Sequence, residues 1–218
     1  MSRVETRAAF GWEDENFVVL HAGNMGLKQG LENVVNAASI ATAKAPGVRF
    51  VLIGDGNQRR HLEELADGIT SIEFVDPVDN VLFVSALAAA DALLVNERGG
   101  VAEMSVPSKL TSYFGAGKPI IACASDDGAT SDEINASSAG IVVPADDAGA
   151  LVDACVRLKQ DPSLSHNLGA HGKAYKENEL SERVAVDKFL SIVTSIIRRL
   201  DKNSIKDSGC HSQGENVV

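Results

Sequence analysis

Between the apolar stretch 17–22 and a helical pattern runs Gly23-Asn24-Met25-Gly26-Leu27-Lys28-Gln29-Gly30. At a strand-to-helix turn the backbone N–H groups lack intrahelical partners and the helix dipole adds partial positive charge, so such a loop suits a phosphate or diphosphate. Gly23 and Gly26 would let a ligand approach the backbone where a side chain would block it or forbid a positive φ. The same pattern also serves simply to turn the chain, and it departs from the G-x-G-x-x-G of ordinary dinucleotide sites. A second chemical region is the long segment from Asn96 to Lys109, which carries Arg98-Gly99-Gly100 and ends in Val106-Pro107-Ser108-Lys109-Leu110 at a helix start. His21, beside the first loop, reads either as a core or supporting residue or as an acid–base group. No Ser-His-Asp set, D-x-D motif or P-loop is present, which removes support for hydrolase and kinase chemistry.

Composition narrows the field. With 218 residues, 44% of them hydrophobic, the chain can bury one substantial core. A formal charge of -10 repels polyanions and no basic stripe offsets it, so nucleic acid is not an expected partner. A phosphate ligand would have to rely on local N–H groups and a few cations. Cys123, Cys155 and Cys210 are widely spaced and lack C-x-x-C or His companions, which suits a reducing cytoplasm better than a disulfide framework or a metal site. No leader pattern is read at the start, and the most apolar stretch, 81–90, is too short to span a membrane.

These residues need a scaffold, and the pattern supplies one. Apolar, β-branched runs at 17–22, 48–53, 72–75, 92–95, 119–122 and 141–143 alternate with helical patterns, which predicts an α/β fold with a six-stranded, doubly wound parallel sheet. Helix starts are predicted after Asp79, Ser108, Asp146 and Asp161. In such sheets ligands bind at the carboxyl ends of the strands where strand order reverses, so the loops after the first and fourth strands become joint candidates. A helix with a broad apolar face is expected over 180–202, followed by a disordered tail, 203–218.

Three blocks stand in order: Gly23-Asn24-Met25-Gly26 with Gln29-Gly30; Val51-Leu52-Ile53-Gly54-Asp55-Gly56; and Val106 to Leu110 running on through Tyr113, Gly117-Lys118-Pro119 and Ala122. Together they resemble the C-terminal, nucleotide-sugar-binding domain of group-1 retaining glycosyltransferases of the GT-B fold, in the polysaccharide-biosynthesis branch. The resemblance runs from about Arg7 to Leu200 and includes 139–144 and Asp161-Pro162 at the family's usual places. It implies a Rossmann-like domain over 17–179, with 1–16 as a linker remnant and 180–202 as the helix returning toward an N-terminal acceptor domain.

What the resemblance implies for chemistry is transfer of a sugar from a nucleoside diphosphate to a glycan or lipid-linked acceptor with retention, without metal or other cofactor. UDP-sugar is the expected donor, with GDP- and ADP-sugars as alternatives. Where better-known members carry an Arg and a Lys in the first loop, this chain has Asn24 and Gln29, and Lys28, Lys109 and Arg98 are the cations that could replace them. The family's spaced pair of glutamates falls on Ser112 and on Met104 beside Glu103, so neither glutamate is kept. Lys109, Lys28 and Glu103 are thus the expected catalytic set. Gly23, Asn24, Met25, Gly26, Gly54, Val75, Val78, Arg98, Pro107, Ser108, Leu110, Ser112 and Glu133 are the expected substrate contacts. For Asp55 the alternatives are shaping the cleft or capping the following helix, and the second is preferred. Asp76 reads as a turn residue or a neighbour of the base. Glu133 either caps or opens a helix or approaches the donor sugar.

The acceptor domain is expected to lie outside this chain, in a separate subunit or a longer protein, so that the chain alone binds donor but transfers poorly. The expected place is the cytoplasm, at the inner face of a membrane if a partner domain brings it there. A non-catalytic nucleotide-sugar-binding module is the alternative, and an epimerase fragment a weaker third.

Overall fold

The computed structural model describes residues 1–100, 108–181 and part of 183–197. The chain divides into two compact units, Met1–Lys176 and Glu177–Val218. The first contains six strands, β1 (Phe17–Ala22), β2 (Val48–Ile53), β3 (Ile72–Val75), β4 (Ala92–Asn96), β5 (Ile120–Ala124) and β6 (Gly140–Pro144). They pair in parallel throughout, in the order β3-β2-β1-β4-β5-β6. The order reverses between β1 and β4, as the alternating pattern requires of a doubly wound sheet.

Helices α1 (Arg3–Phe10), α2 (Glu32–Lys44), α3 (Arg59–Leu65), α4 (Asn80–Ala89), α5 (Lys109–Ala116), α6 (Ala129–Ser137), α7 (Ala148–Gln160) and α8 (Pro162–Glu179) make the connections and flanks. Every residue of β1, β4 and β5 is buried, because a central parallel strand is covered on both faces. The edge strand β3 is only half-buried. Two apolar layers result, one joining β-strand side chains to α2, α3 and α7, the other to Trp12, α4, α5 and α6. Cys123 and Cys155 lie in the first layer, and burial, with Asp147 and Asp146 nearby, pushes the Cys123 thiol up to about 12.

Segment 1–16, expected as a linker remnant, holds α1, whose Ser2 and Glu5 form a reciprocal capping box. At the amino ends of the strands one carboxylate organises this region: Asp91 takes Arg3 at 2.6 Å, Arg7 at 3.2 Å and the Val18 N–H at 2.8 Å.

Local capping follows the sequence in two places and departs from it in three. Asp79 caps α4 by accepting from Leu82 N–H, and Asp161 accepts from Leu164 N–H at the start of α8. The cap of α7 is Asp147 rather than Asp146; Asp146 adopts a left-handed φ of 58° and its carboxylate instead takes the Gly99 N–H at 2.8 Å. Ser108 precedes α5 in helical conformation and makes no side-chain cap. Asp55 does not cap α3, which starts after Gln58; its carboxylate takes the neighbouring Gly56 N–H instead.

Of the second unit, the described residues between 183 and 197 are helical, and Val186, Phe189, Leu190, Ile192, Ile196 and Ile197 are exposed. The tail 203–218 and the segment 101–107, with Glu103, Met104 and Pro107, lie outside the described residues. Among those described, no helix is long and apolar enough to cross a membrane.

Candidate functional site

The site is built on the carboxyl ends of β1, β2 and β4. The first loop is stitched to the second: Gly23 N–H donates to Ile53 O at 2.9 Å, Met25 N–H to Asp55 O at 2.8 Å, and Gln58 N–H to Met25 O at 3.0 Å. This seam needs glycine. Gly54 has a φ of 141°, and a Cβ there would run into the Gly23 carbonyl; a Cβ at Gly56 would run into that of Met25. The seam explains why Gly-Asp-Gly follows β2, and why Asp55 acts through its main-chain oxygen.

The loop is also pinned from β4. Asn96, buried at the end of its strand, donates to Gln29 O at 2.7 Å and to Gly30 O at 3.0 Å, while its Oδ1 accepts from the Asn33 amide at 2.9 Å. Arg98 donates from its backbone to Lys28 O and from Nε to Leu27 O, both at 2.9 Å, and its guanidinium pairs with Glu32 at 2.7 Å. Arg98, predicted as a cation facing a diphosphate, is therefore committed to the shape of the loop and to the first turn of α2.

Within the loop, the Gly26 N–H donates to Gln29 Oε1 at 3.1 Å. Residues 27–29 form a single 3-10 turn before α2. The N–H groups of Gly23, Met25, Gly26, Gln29 and Gly30 are all spent inside the protein. An open cradle of N–H groups was the expectation; the structure closes most of it, because the turn is stabilised by its own donors. Asn24 and Lys28 are exposed and Met25 is fully buried in the core beneath.

Lys109, the first residue of α5, reaches this loop from across the switch point. Its Nζ stands 3.5 Å from Nε2 of His21, and a Cβ at Gly23 would lie 3.8 Å from that same Nζ. His21 is completely buried. Burial first, and then the charge of Lys109, hold its imidazole well below the usual histidine range, against the pull of the Asn24 and Leu94 carbonyls. The side chain is a neutral acceptor for the ammonium. Tyr113, one turn further along α5, accepts the Ala22 N–H at 2.9 Å, and burial raises its phenol so that it stays protonated. Lys109 thus stands on a helix locked to the end of β1.

The other predicted residues are spread along the same face. Ser108 and Ser112 are exposed on the α5 side, whereas Leu110 is buried in the core. Val75 and Val78 are half-buried and pack on the second apolar layer. Asp76 is exposed and pairs with Arg59 at 2.7 Å. Glu133 lies inside α6, half-buried, and is not its cap, which is Gly128. Asn33, Asn96 and Glu97 were not singled out in the sequence. Glu97 immediately follows β4 and takes the Thr130 hydroxyl at 2.5 Å. A polar pair ending the run Ala92–Val95 was the available signal. Among the described residues, no cluster of three His, Cys, Asp or Glu side chains could hold a metal ion.

Residues 16–161 match the family described as "Glycosyl transferases group 1". The chain is 32% identical over 106 residues to the putative colanic acid biosynthesis glycosyl transferase WcaI of Escherichia coli, covering 48% of this chain and 26% of that protein. It is 26% identical over 196 residues to a GDP-mannose-dependent phosphatidylinositol monomannoside mannosyltransferase of Corynebacterium glutamicum, covering 87% of this chain and 50% of the relative. The chain therefore spans half or less of the length of these curated relatives. In structure it resembles HepE of Anabaena in complex with UDP, with a TM-score of 0.74 at 17% identity over 88% of this chain and 52% of that one. It also resembles the C-terminal domain of a group 1 glycosyl transferase from Francisella tularensis, with a TM-score of 0.65 at 16% identity, covering 83% of this chain and 94% of that domain. At these identities the likeness establishes the Rossmann-like half of a GT-B fold.

Proposed function

The chain belongs to the group 1 glycosyl transferases, and from that premise we propose that it is the donor-binding, C-terminal half of an enzyme that moves a sugar from a nucleoside-diphosphate sugar to a glycan or lipid-linked acceptor with retention. The observation that carries the reading is Lys109, whose ammonium stands beside Gly23 and His21 where the strand order reverses. In this reaction the leaving diphosphate gains negative charge as the glycosidic bond breaks, and a preorganised cation stabilises that change most effectively because it need not reorient. At His21 the ammonium of Lys109 meets a neutral acceptor. It sits in the first turn of α5, whose N–H groups have no side-chain cap from Ser108, a favourable place for a phosphate.

In this reading the first loop supplies shape, with Lys28 as an exposed second cation, and Ser112 offers a hydroxyl to the ribose in place of a carboxylate. UDP-sugar is the proposed donor, supported by the UDP-bound state of the similar HepE; the GDP-mannose dependence of another relative keeps GDP-sugars in the comparison. The acceptor domain is proposed to come from elsewhere, in line with the half-length match to the curated relatives and the near-complete match to an isolated C-terminal domain. A cytoplasmic place beside a membrane follows from that partner, not from this chain.

Calorimetric titration with UDP-, GDP- and ADP-sugars tests the reading. One series binds in the micromolar-to-millimolar range, and Lys109→Ala weakens it by about tenfold or more, the loss of one charge-assisted hydrogen bond. No heat with any nucleoside diphosphate would sink the donor site. The exposed Ser112 and the Gln29–Gly26 bond favour a second reading, a binding module without catalysis. Adding the acceptor half of a related enzyme in trans separates the two, since only the first reading gives retained-configuration product.

A further inference from the structure

The amino ends of the strands, opposite the proposed donor site, carry a second concentration of positive charge. A recess of about 380 Å³ is lined by Phe17 at the start of β1, Asp91 before β4, Lys118-Pro119 before β5, the end of α7 and the first turn of α8, with Arg3 at its side. Its cations are Arg3, Lys118 and Lys159, with the His166 imidazole beside them; among the described residues that line it, Asp91 is the acidic one. That carboxylate is already shared by two guanidinium groups, Arg3 and Arg7, and by the Val18 N–H. Asp161, just outside, has its carboxylate turned to the Leu164 N–H as the cap of α8. Among the described residues, the further carboxylate that Arg7 meets is Asp14, at 3.7 Å and largely in solvent.

Lys118 is the residue this arrangement leaves unsatisfied. It is half-buried, and among the described residues its ammonium makes neither a hydrogen bond nor an ion pair. Burial and the charges of Arg3 and Arg7 hold its amine below the usual lysine range, with Asp91 opposing them. Lys159 commits one donor, to Pro46 O at 2.9 Å, and an ammonium has three. A desolvated ammonium walled by Phe17, Pro119 and Leu158 interacts more strongly with an anion than it would in water. Such an excess of local positive charge in a chain of net charge -10 calls for a counter-charge from outside.

We propose that this recess is a second anion site, taking a phosphate or phosphomonoester group, with Lys118 as its central donor and Lys159 and His166 at its rim. The site is separate from the donor reading and does not depend on it. The group comes either from a soluble phosphate compound or from an anionic lipid headgroup, and the chemistry of recognition is the same.

Amide NMR of the 218-residue chain, titrated with inorganic phosphate, resolves the two ends of the sheet. Saturable shifts are expected at Gly117, Lys118, Lys159, Ser165 and His166. Lys118→Gln weakens them by about tenfold, as loss of one charge-assisted contact would, whereas Lys118→Arg keeps them. His166→Ala gives a smaller loss and provides a second variant if Lys118→Gln folds poorly. Absence of saturable shifts at these amides, or equal affinity in wild type and a folded Lys118→Gln protein, overturns the proposal. With phosphate binding in place, sedimentation on phosphatidic acid vesicles that phosphate and Lys118→Gln both abolish assigns a lipid headgroup; no sedimentation assigns a soluble phosphate. Shifts at Gly23–Lys28 upon UDP addition report the donor site independently, so either site can fail alone.

Discussion

The loop after β1 spends its donors within the protein: Gly26 on Gln29 of the same loop, Gly23 on Ile53 and Met25 on Asp55 at the end of β2, with Asn96 and Arg98 fastening it from the end of β4. The start of α5, facing the same switch point, has no side-chain cap from Ser108 and carries Lys109, whose Nζ lies 3.5 Å from the neutral imidazole of His21. One region has most of its donors spent within the protein, and the other brings a cation and a helix N-terminus to the switch point. A glycine-rich turn and a helix N-terminus look equally suited to phosphate in a sequence. What separates them is where their polar groups already go.

The comparison is broken most forcefully at Gly54. Its φ of 141° and the Gly23 carbonyl against it leave no room for a methyl group, so Gly54→Ala should cost about 3 kcal/mol or more and abolish nucleotide binding through the distorted first loop. Urea denaturation together with a UDP titration measures both; a small stability loss would mean that the seam is softer than its geometry implies. Next comes Asn96→Leu, which strands the Asn33 amide and two carbonyls, at about 2–3 kcal/mol. If the loop only shapes the site, UDP affinity should fall in step with that destabilisation, whereas Lys109→Ala should lower affinity with stability nearly unchanged.

The smallest effect concerns His21. Its native pKa lies well below 6.5, so below that pH the unfolded chain binds a proton that the folded one does not. The stability from the neutral imidazole is fully present above pH 6.5 and is lost as pH falls, by at most about 1.4 kcal/mol per pH unit while this one proton difference lasts. Comparing urea midpoints of wild type and His21→Gln between pH 7 and 5 checks this, with the variant expected to show the shallower decline. An identical decline in both proteins would remove His21 from the account.

The fold was legible to a large extent because its signals are local. β1, β2 and β3 occupy the very runs of apolar and β-branched residues at 17–22, 48–53 and 72–75, while β5, expected at 119–122, starts after Pro119, which cannot donate to the ladder, and runs on to Ala124. The caps at Asp79 and Asp161 were readable for the same reason. Asp146 and Asp55 were misassigned because an aspartate before a helix can satisfy other donors, and Gly99, distant in sequence, competes for one of them.

Site residues were harder, since partners there are far apart in the chain. Arg98 and Lys109 are both cations in the same expected binding segment, yet Glu32 and two carbonyls claim the first while His21 borders the second. The sequence by itself determined the α/β order, the parallel sheet, the switch point between β1 and β4 and the group 1 family, because periodicity, turn chemistry and ordered motifs are written along the chain. Only the tertiary structure decided which N–H groups and charges remain to meet a ligand. That is a property of what is left after folding, when residues separated by 60 or more positions, such as Asn33 with Asn96 and Lys109 with His21, have made their hydrogen bonds.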